Sequence, residues 1–227
     1  MKNNLTELVM ILDRSGSMRG LEADTIGGFN GMIEQQRKEG GDGEVYVSVV
    51  LFDNASEVIY DRVPIAKVEL MTDKQYYVRG CTALLDAVGG AIRHIATIHK
   101  YARSEDRPAK TLFVIMTDGM ENASRHYTYA DVKRMIEQEK EQYGWEFIFL
   151  GANIDAAAEA ARFGIAGNRA ATFENDSAGQ KLNYETVAKA IKYAARAASV
   201  EEMRCAFDDS EFLADVREDF EKRHRKR

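Results

Sequence analysis

The sequence predicts an α/β protein with a doubly wound, mostly parallel central sheet and helices on both faces. Short apolar segments alternate along the chain with longer segments of helical periodicity, as in sheets built from β-α units. Three of the apolar segments, at 9–12, 45–52 and 112–116, are continuous runs without regular alternation. Such runs are typical of parallel strands that are covered on both faces.

The strands follow from short apolar segments that are bounded by polar or turn-forming residues. They are predicted, in chain order, at residues 7–12, 45–52, 57–60, 67–70, 111–116, 146–150 and 170–173.

The helices follow from apolar residues at three- and four-residue steps. They are predicted at residues 21–38, 83–101, 129–143, 156–163 and 182–199. In the second, Leu84, Val88, Ala91 and Ile95 form one apolar face. A helix with such a face packs against a sheet.

Length, composition and charge limit the class of protein. A chain of 227 residues with 45% hydrophobic content can bury the core of one large domain. A net charge of −6 argues against general nucleic-acid binding. No signal peptide is recognisable, and no apolar stretch approaches the roughly 20 residues that cross a bilayer. Cys81 and Cys205 lack metal or redox spacing, which favours reduced thiols in a cytoplasmic protein.

Oxygen-bearing side chains follow the first predicted strand. The apolar run ends at Asp13, and Ser15 and Ser17 follow at alternate positions around Gly16. Hard divalent cations such as Mg²⁺ prefer oxygen ligands. Ligands of open α/β sheets bind at the carboxyl ends of strands near the topological switch point. This turn therefore has the residues for half of a coordination shell.

Two further segments have candidates for the other half. The strand at 111–116 is followed by Thr117-Asp118-Gly119, where the glycine permits a tight turn that exposes the acid. Thr82 precedes the helix at 83–101. Its hydroxyl suits either a helix N-cap or a metal ligand, and the residues alone leave both open.

These segments, taken in order, resemble the metal-ion-dependent adhesion site of von Willebrand factor type A domains. The likeness rests on Asp13-x-Ser15-x-Ser17, on Thr82 within Gly-x-Thr-x-Leu-x-Asp-Ala, and on Thr117-Asp118-Gly119. It spans residues 5–200 and is nearest in style to the bacterial cytosolic branch. The resemblance implies metal ligation by Asp13, Ser15, Ser17, Thr82 and Asp118, directly or through water.

The resemblance also implies a function. The metal would be Mg²⁺ (or Mn²⁺), and an Asp or Glu carboxylate of a protein partner would complete its shell. The protein would then be a non-enzymatic adaptor in a larger assembly, such as a bacterial stress-response system or an ATPase-associated machine. The alternative is a metal-dependent phosphoester hydrolase, for which Glu121 is the only candidate general base. Phosphate-binding, dinucleotide-binding and Gly-x-Ser-x-Gly motifs are absent from the sequence.

Residues near the predicted ligands, and the end of the chain, have other predicted roles. Asp86 either orients a site hydroxyl or water, or complements the dipole of its helix. Glu121 and Asn122 are predicted to shape the loop around the site.

Residues 1–200 are predicted as the domain and 201–227 as a charged C-terminal helix with a solvated basic tail. The amphipathic part of this C-terminal segment, residues 207–220, is predicted to dock on the domain or on a partner.

Overall fold

The computed structural model describes residues 4–39, 43–209 and 212–225. Its six strands form one sheet in the order β3-β2-β1-β4-β5-β6. Every neighbouring pair is parallel except β2 and β3. The strands are β1 Leu5–Asp13, β2 Glu44–Phe52, β3 Ser56–Pro64, β4 Lys110–Asp118, β5 Glu146–Ala152 and β6 Ala170–Phe173. The predicted fold class is confirmed.

Seven α-helices lie in the described part of the chain. They are α1 Glu22–Glu39, α2 Leu84–Tyr101, α3 Tyr129–Tyr143, α4 Ala156–Arg162, α5 Ser177–Arg196, α6 Val200–Asp209 and α7 Ala214–His224. None of them is long and apolar enough to cross a membrane.

The central strand β1 contributes to two hydrophobic cores, one on each face of the sheet. Leu8, Met10 and Leu12 pack in a core that includes residues of α1, α5, α6 and α7. Val9 and Ile11 pack in the opposite core, with α2, α3 and α4. Successive side chains of a strand point to opposite faces, so burial on both sides requires an unbroken apolar run.

The strand order reverses at β1: β2 and β3 are added on one side of it, and β4, β5 and β6 on the other. Strand β1 is parallel to both of its neighbours, β2 and β4. In the doubly wound order, this is the switch point at which ligands bind beyond the carboxyl ends of the strands. The last residues of β1 and β4 are Asp13 and Asp118.

The predicted strand at 67–70 and the predicted start of the fifth helix were wrong. Residues 67–70 form no strand, because β3 ends at Pro64 and a 3₁₀ turn, Ile65–Lys67, follows it. Helix α5 begins at Ser177 rather than at residue 182. The Asp176 carboxylate accepts a hydrogen bond of 2.8 Å from the Gly179 N–H and caps this earlier start.

The C-terminal segment forms two helices rather than one, and both dock on the sheet. Phe207 of α6 and Val216 of α7 are buried in the same core as β1, together with Phe212 between them. The Phe207 and Phe212 rings lie 5.1 Å apart. Helices α6 and α7 therefore contribute side chains to the core of the preceding domain. Residues 226–227 of the predicted basic tail lie outside the described residues.

Candidate functional site

Two aspartates meet at the carboxyl edge of the sheet. Asp13 ends β1 and Asp118 ends β4, and these strands are neighbours with Leu12 opposite Met116. The backbone N–H of Asp118 donates a hydrogen bond of 3.2 Å to Oδ2 of Asp13. Both side chains are buried. The structure thus brings together the two carboxylates that the sequence singled out.

The Asp13 carboxylate is held by donors from two strand ends. Its Oδ1 accepts the Ser15 N–H at 2.6 Å, and its Oδ2 accepts the Thr117 hydroxyl at 2.7 Å. Its backbone carbonyl accepts the Tyr76 hydroxyl at 2.6 Å. These contacts fix both the carboxylate and the chain that carries it.

The three predicted hydroxyl ligands lie side by side. The hydroxyl oxygens of Ser15 and Ser17 are 2.9 Å apart, and the Thr82 hydroxyl donates to Ser15 Oγ at 3.1 Å. Ser15 and Thr82 are buried, whereas Ser17 is exposed. The cluster of three hydroxyls is therefore accessible to solvent at Ser17.

Thr82 is not the N-cap of α2. That helix begins at Leu84, and its N-cap residue is Ala83, whose side chain makes no capping hydrogen bond. The Thr82 hydroxyl points instead toward Ser15. One of the two roles that the sequence left open is thereby excluded.

The loop that carries Thr82 is tied to its neighbours. The Thr82 N–H donates to Oδ1 of Asn122 at 2.9 Å, and the Leu85 N–H donates to Oε2 of Glu121 at 2.9 Å. Oε1 of Glu121 also accepts the Ser124 N–H at 2.7 Å. Glu121 and Asn122 thus shape the loop around the site, as predicted.

Asp86 holds the loop that follows the β4 turn. It accepts backbone N–H bonds from Arg125 at 2.9 Å, His126 at 2.8 Å and Tyr127 at 3.0 Å. Burial opposes ionisation of this carboxyl, but the three N–H donors outweigh it and lower the Asp86 pKa. Its partners are backbone groups of this loop rather than a site hydroxyl.

Two asparagines that the sequence did not single out hold the Asp118 carboxylate. The Asn153 amide donates to Oδ1 and the Asn175 amide donates to Oδ2. Asn153 directly follows β5, with a left-handed φ of 56°, and Asn175 follows β6. The signal that could have found them is their position just beyond predicted strands, the same signal that identified Asp13 and Asp118.

Burial makes ionisation of both aspartates costly. It raises the pKa of Asp13 above its usual value, although hydrogen bonds from Ser15 and Thr117 oppose the shift. Burial likewise raises the pKa of Asp118; the Asn153 amide opposes this shift, and the nearby Asp13 charge adds to it. In the described part of the chain, neither carboxylate has a Lys, Arg or His partner within 4.0 Å.

The nearest arginine in sequence does not neutralise them. Arg14 is buried beside Asp13, but its Nε donates to Oδ2 of Asp53 at 2.8 Å. Its other end lies 2.8 Å from Oε2 of Glu57. The positive charge of Arg14 is thus shared with other acids, and the Asp13–Asp118 pair has no counter-charge of its own among the residues that the structure describes.

The donor set fits a hard divalent cation. Two adjacent carboxylates without a cationic partner are unfavourable in a buried site, and a cation between them would remove that penalty. Carboxylate and hydroxyl oxygens are ligands for such cations. Within residues 4–39, 43–209 and 212–225, no three His, Cys, Asp or Glu side chains cluster as a metal site. A metal here therefore depends on the Ser and Thr hydroxyls.

Comparisons with known proteins identify the fold. No protein-family model matches the sequence, and no match was found among curated proteins. Among solved structures, the chain resembles a von Willebrand factor type A protein from Catenulispora acidiphila, with 16% identity and a TM-score of 0.55. The match covers 82% of this chain and 42% of that one.

Two pilus proteins also match. The von Willebrand factor domain of the type V pili tip protein Mfa5 from Porphyromonas gingivalis has 11% identity and a TM-score of 0.59 over 84% of this chain and 96% of its own. The pilus adhesin SpaC from Lactobacillus rhamnosus GG, in its open conformation, has 13% identity and a TM-score of 0.60 over 83% and 30%. The chain spans less than half of the C. acidiphila and SpaC proteins. With the sheet order and the helices on both faces, these matches show that the chain has the fold of a von Willebrand factor type A domain.

Proposed function

We propose that the protein is a metal-dependent protein-interaction module. Its metal ligands, direct or through water, are Asp13, Ser15, Ser17, Thr82 and Asp118, and its metal is Mg²⁺ or Mn²⁺. The observation that carries this proposal is the pair of buried carboxylates, without a cationic partner in the described part of the chain, beside three clustered hydroxyls.

Charge balance indicates what the site binds. Two carboxylates neutralise one divalent cation, and the hydroxyls add no charge. The bound metal would supply a Lewis-acidic position for one more anionic oxygen. Ser17 lies on the exposed side of the cluster, so this oxygen arrives from solvent. An Asp or Glu side chain of a partner protein has the required charge and reach.

The protein residues around the ligands keep them in place. Donors from Ser15 and Thr117 orient the Asp13 carboxylate, and the Asn153 and Asn175 amides orient that of Asp118. Outer partners of this kind fix ligand orientation and tune affinity. In this proposal they preorganise the edge of the sheet for the cation.

The proposed setting is an adaptor role in the cytoplasm, in a bacterial stress-response or ATPase-associated assembly. Two of the structures with this fold are a pilus adhesin and a pilus tip protein. That use of the fold supports a role in binding rather than in catalysis.

Phosphoester hydrolysis is less well supported. It requires a general base beside the metal. Glu121 is the sequence candidate, but both of its carboxylate oxygens accept loop hydrogen bonds, from Leu85 and from Ser124. A base committed to these donors is poorly placed to accept a proton from water.

A metal-controlled pull-down tests the proposal. Wild type, Asp13→Ala and the control Asp106→Ala are used as bait in Mg²⁺ and in EDTA; Asp106 is exposed and precedes β4, at the opposite edge of the sheet. Capture of a protein by wild type and control in Mg²⁺ only, and never by Asp13→Ala, is the expected result. Equal capture under all conditions would contradict it. Phosphoester turnover that Asp13→Ala abolishes would favour the hydrolase.

A further inference from the structure

A polar groove lies beside the loop that carries Thr82. Its volume is about 1190 Å³. Its walls come from the loop after β2, the exposed side of α2 and the loop after β4, and its lining includes Asn54, Arg93, Asn122, Arg125 and His126. We propose that this groove binds an acidic segment of the partner protein, whose carboxylates pair with Arg93 and Arg125. The inference rests on the proposed function, because another carboxylate of the same segment occupies the metal.

The groove adjoins the loop that carries the proposed metal ligand Thr82. Oδ1 of Asn54 accepts the Cys81 N–H at 2.7 Å, and Oδ1 of Asn122 accepts the Thr82 N–H at 2.9 Å. Two side chains of the groove thus accept hydrogen bonds from the loop that carries Thr82. A polypeptide with one side chain at the metal reaches the groove by crossing this loop.

The acids near the groove are committed to backbone donors. Both carboxylate oxygens of Asp86 accept N–H groups of the 125–127 loop. Those of Glu121 accept N–H groups of Leu85 and Ser124. Neither acid forms an ion pair within the described residues.

The arginines of the groove, by contrast, have no acidic partner among the described residues. Arg93 and Arg125 are exposed, and neither guanidinium has an ion pair or a hydrogen bond within the part of the chain that is described. Some exposed arginines elsewhere do pair, Arg103 with Asp106 at 2.7 Å and Arg134 with Asp131 at 2.8 Å, whereas Arg19 has no ion pair within the described residues. The lining of the groove thus sets two arginines against one acid, Asp86, which leaves a small positive excess on a chain of net charge −6.

Charge complementarity favours an acidic polypeptide as the occupant. A guanidinium presents a planar fork of N–H donors that matches a carboxylate. A nucleic acid would bring a dense row of phosphates toward a chain whose overall charge is negative. A protein segment with two or three spaced acids matches one metal position and two arginines.

Fluorescence anisotropy with a labelled decaglutamate peptide tests the groove. The full chain is titrated at low ionic strength, in Mg²⁺ and in EDTA. The test protein is the double variant Arg93→Ala/Arg125→Ala. The matched control is Arg103→Ala/Arg134→Ala, which removes the same charge from exposed arginines outside the groove. Calorimetric titration with Mn²⁺ reports the metal site separately.

We expect Mg²⁺-dependent binding of decaglutamate that the groove variant weakens by roughly tenfold and the control leaves unchanged. Mn²⁺ affinity should be the same in all three proteins. Metal-dependent peptide binding that is equal in both variants would overturn the proposal that the groove binds the peptide, and would leave the proposed function intact. Failure of wild type to bind Mn²⁺ would overturn the proposed function itself. Tighter binding of oligothymidylate than of decaglutamate through the same arginines would overturn the proposal that the groove binds an acidic polypeptide.

Discussion

The two aspartates at the edge of the sheet are equally buried but held in different ways. Asp13 is held by the Ser15 N–H in its own turn and by the Thr117 hydroxyl on the neighbouring strand. Asp118 is held by two side-chain amides, from the loops after β5 and β6. One carboxylate is thus organised partly by its own turn, and the other by side chains that follow two later strands of the sheet.

This difference determines what the sequence could reveal. The turn after β1 contains Asp13, Ser15 and Ser17 within five positions, so its chemistry is visible in the sequence. Asn153 and Asn175 are ordinary turn residues locally. Their role arises only because β4, β5 and β6 are adjacent in the sheet and bring their carboxyl ends together.

The largest expected effect is loss of metal binding on removal of the Asp13 charge. Asp13→Asn keeps the size of the side chain but removes half of the anionic charge of the donor set. We expect Mn²⁺ affinity, measured by calorimetry, to fall by more than about 100-fold. Asp106→Asn is the control. Retention of wild-type affinity in Asp13→Asn would show that Asp13 is not a ligand.

A smaller loss is expected from the amides that hold Asp118. Asn153→Gly removes the amide and tolerates the left-handed φ of that residue, and Asn175→Ala removes the second amide. Each should lower Mn²⁺ affinity by about 10-fold, since outer partners of ligands contribute on that scale. A rise in affinity would instead show that the amides compete with the metal for Asp118.

Metal-free stability should fall with rising pH because of both carboxylates. Burial raises the folded-state pKa of Asp13 and of Asp118 above the ordinary value of an aspartate. The folded protein thus binds protons more readily than the unfolded chain at these groups. Their contribution is fully present below the unfolded pKa and is lost as pH rises through the folded pKa.

Added metal should therefore stabilise the protein more at pH 7.5 than at pH 4.5, where protons compete for the same oxygens. With free Mg²⁺ at 100 times its Kd, linkage gives about 2.7 kcal/mol at neutral pH. For a chain of this length we expect Tm to rise by about 5 to 10 °C. Scanning calorimetry in Mg²⁺ and in EDTA measures this rise in Tm at pH 7.5 and at pH 4.5. An equal rise at the two pH values would contradict a carboxylate site.

The elements that the sequence predicted best are those that local physics determines. Helix α3 begins and ends where predicted because Thr128 and Asp131 form a capping box and Gly144 ends the helix with a left-handed φ of 66°. The false strand at 67–70 has an alternating pattern, Lys-Val-Glu-Leu. Val68 is buried in the core, but Leu70 is exposed, and the segment has no partner strand among the described residues. Alternation alone therefore does not make a strand, which also requires a neighbour.

The end of the chain shows the same limit. The amphipathic pattern of residues 207–220 correctly indicated an apolar side, and Phe212 and Val216 are buried. It did not reveal that the segment forms two separate helices, α6 and α7. Nor did it reveal that the domain itself covers this apolar side. Which surface buries an amphipathic helix is a property of the tertiary structure.

The smallest expected effect comes from the Thr117 hydroxyl, which donates to Oδ2 of Asp13 at 2.7 Å. Thr117→Val keeps the shape of the side chain and removes this donor, so the Asp13 pKa should rise further and metal affinity should fall a few-fold. Loss of a hydrogen bond to a buried acceptor should cost about 1 kcal/mol of unfolding free energy in urea. Thr111→Val, also buried on β4, is the matched control. If both variants bind Mn²⁺ equally well, Asp13 is organised by its own turn alone, and its contrast with Asp118 is greater than the contacts indicate.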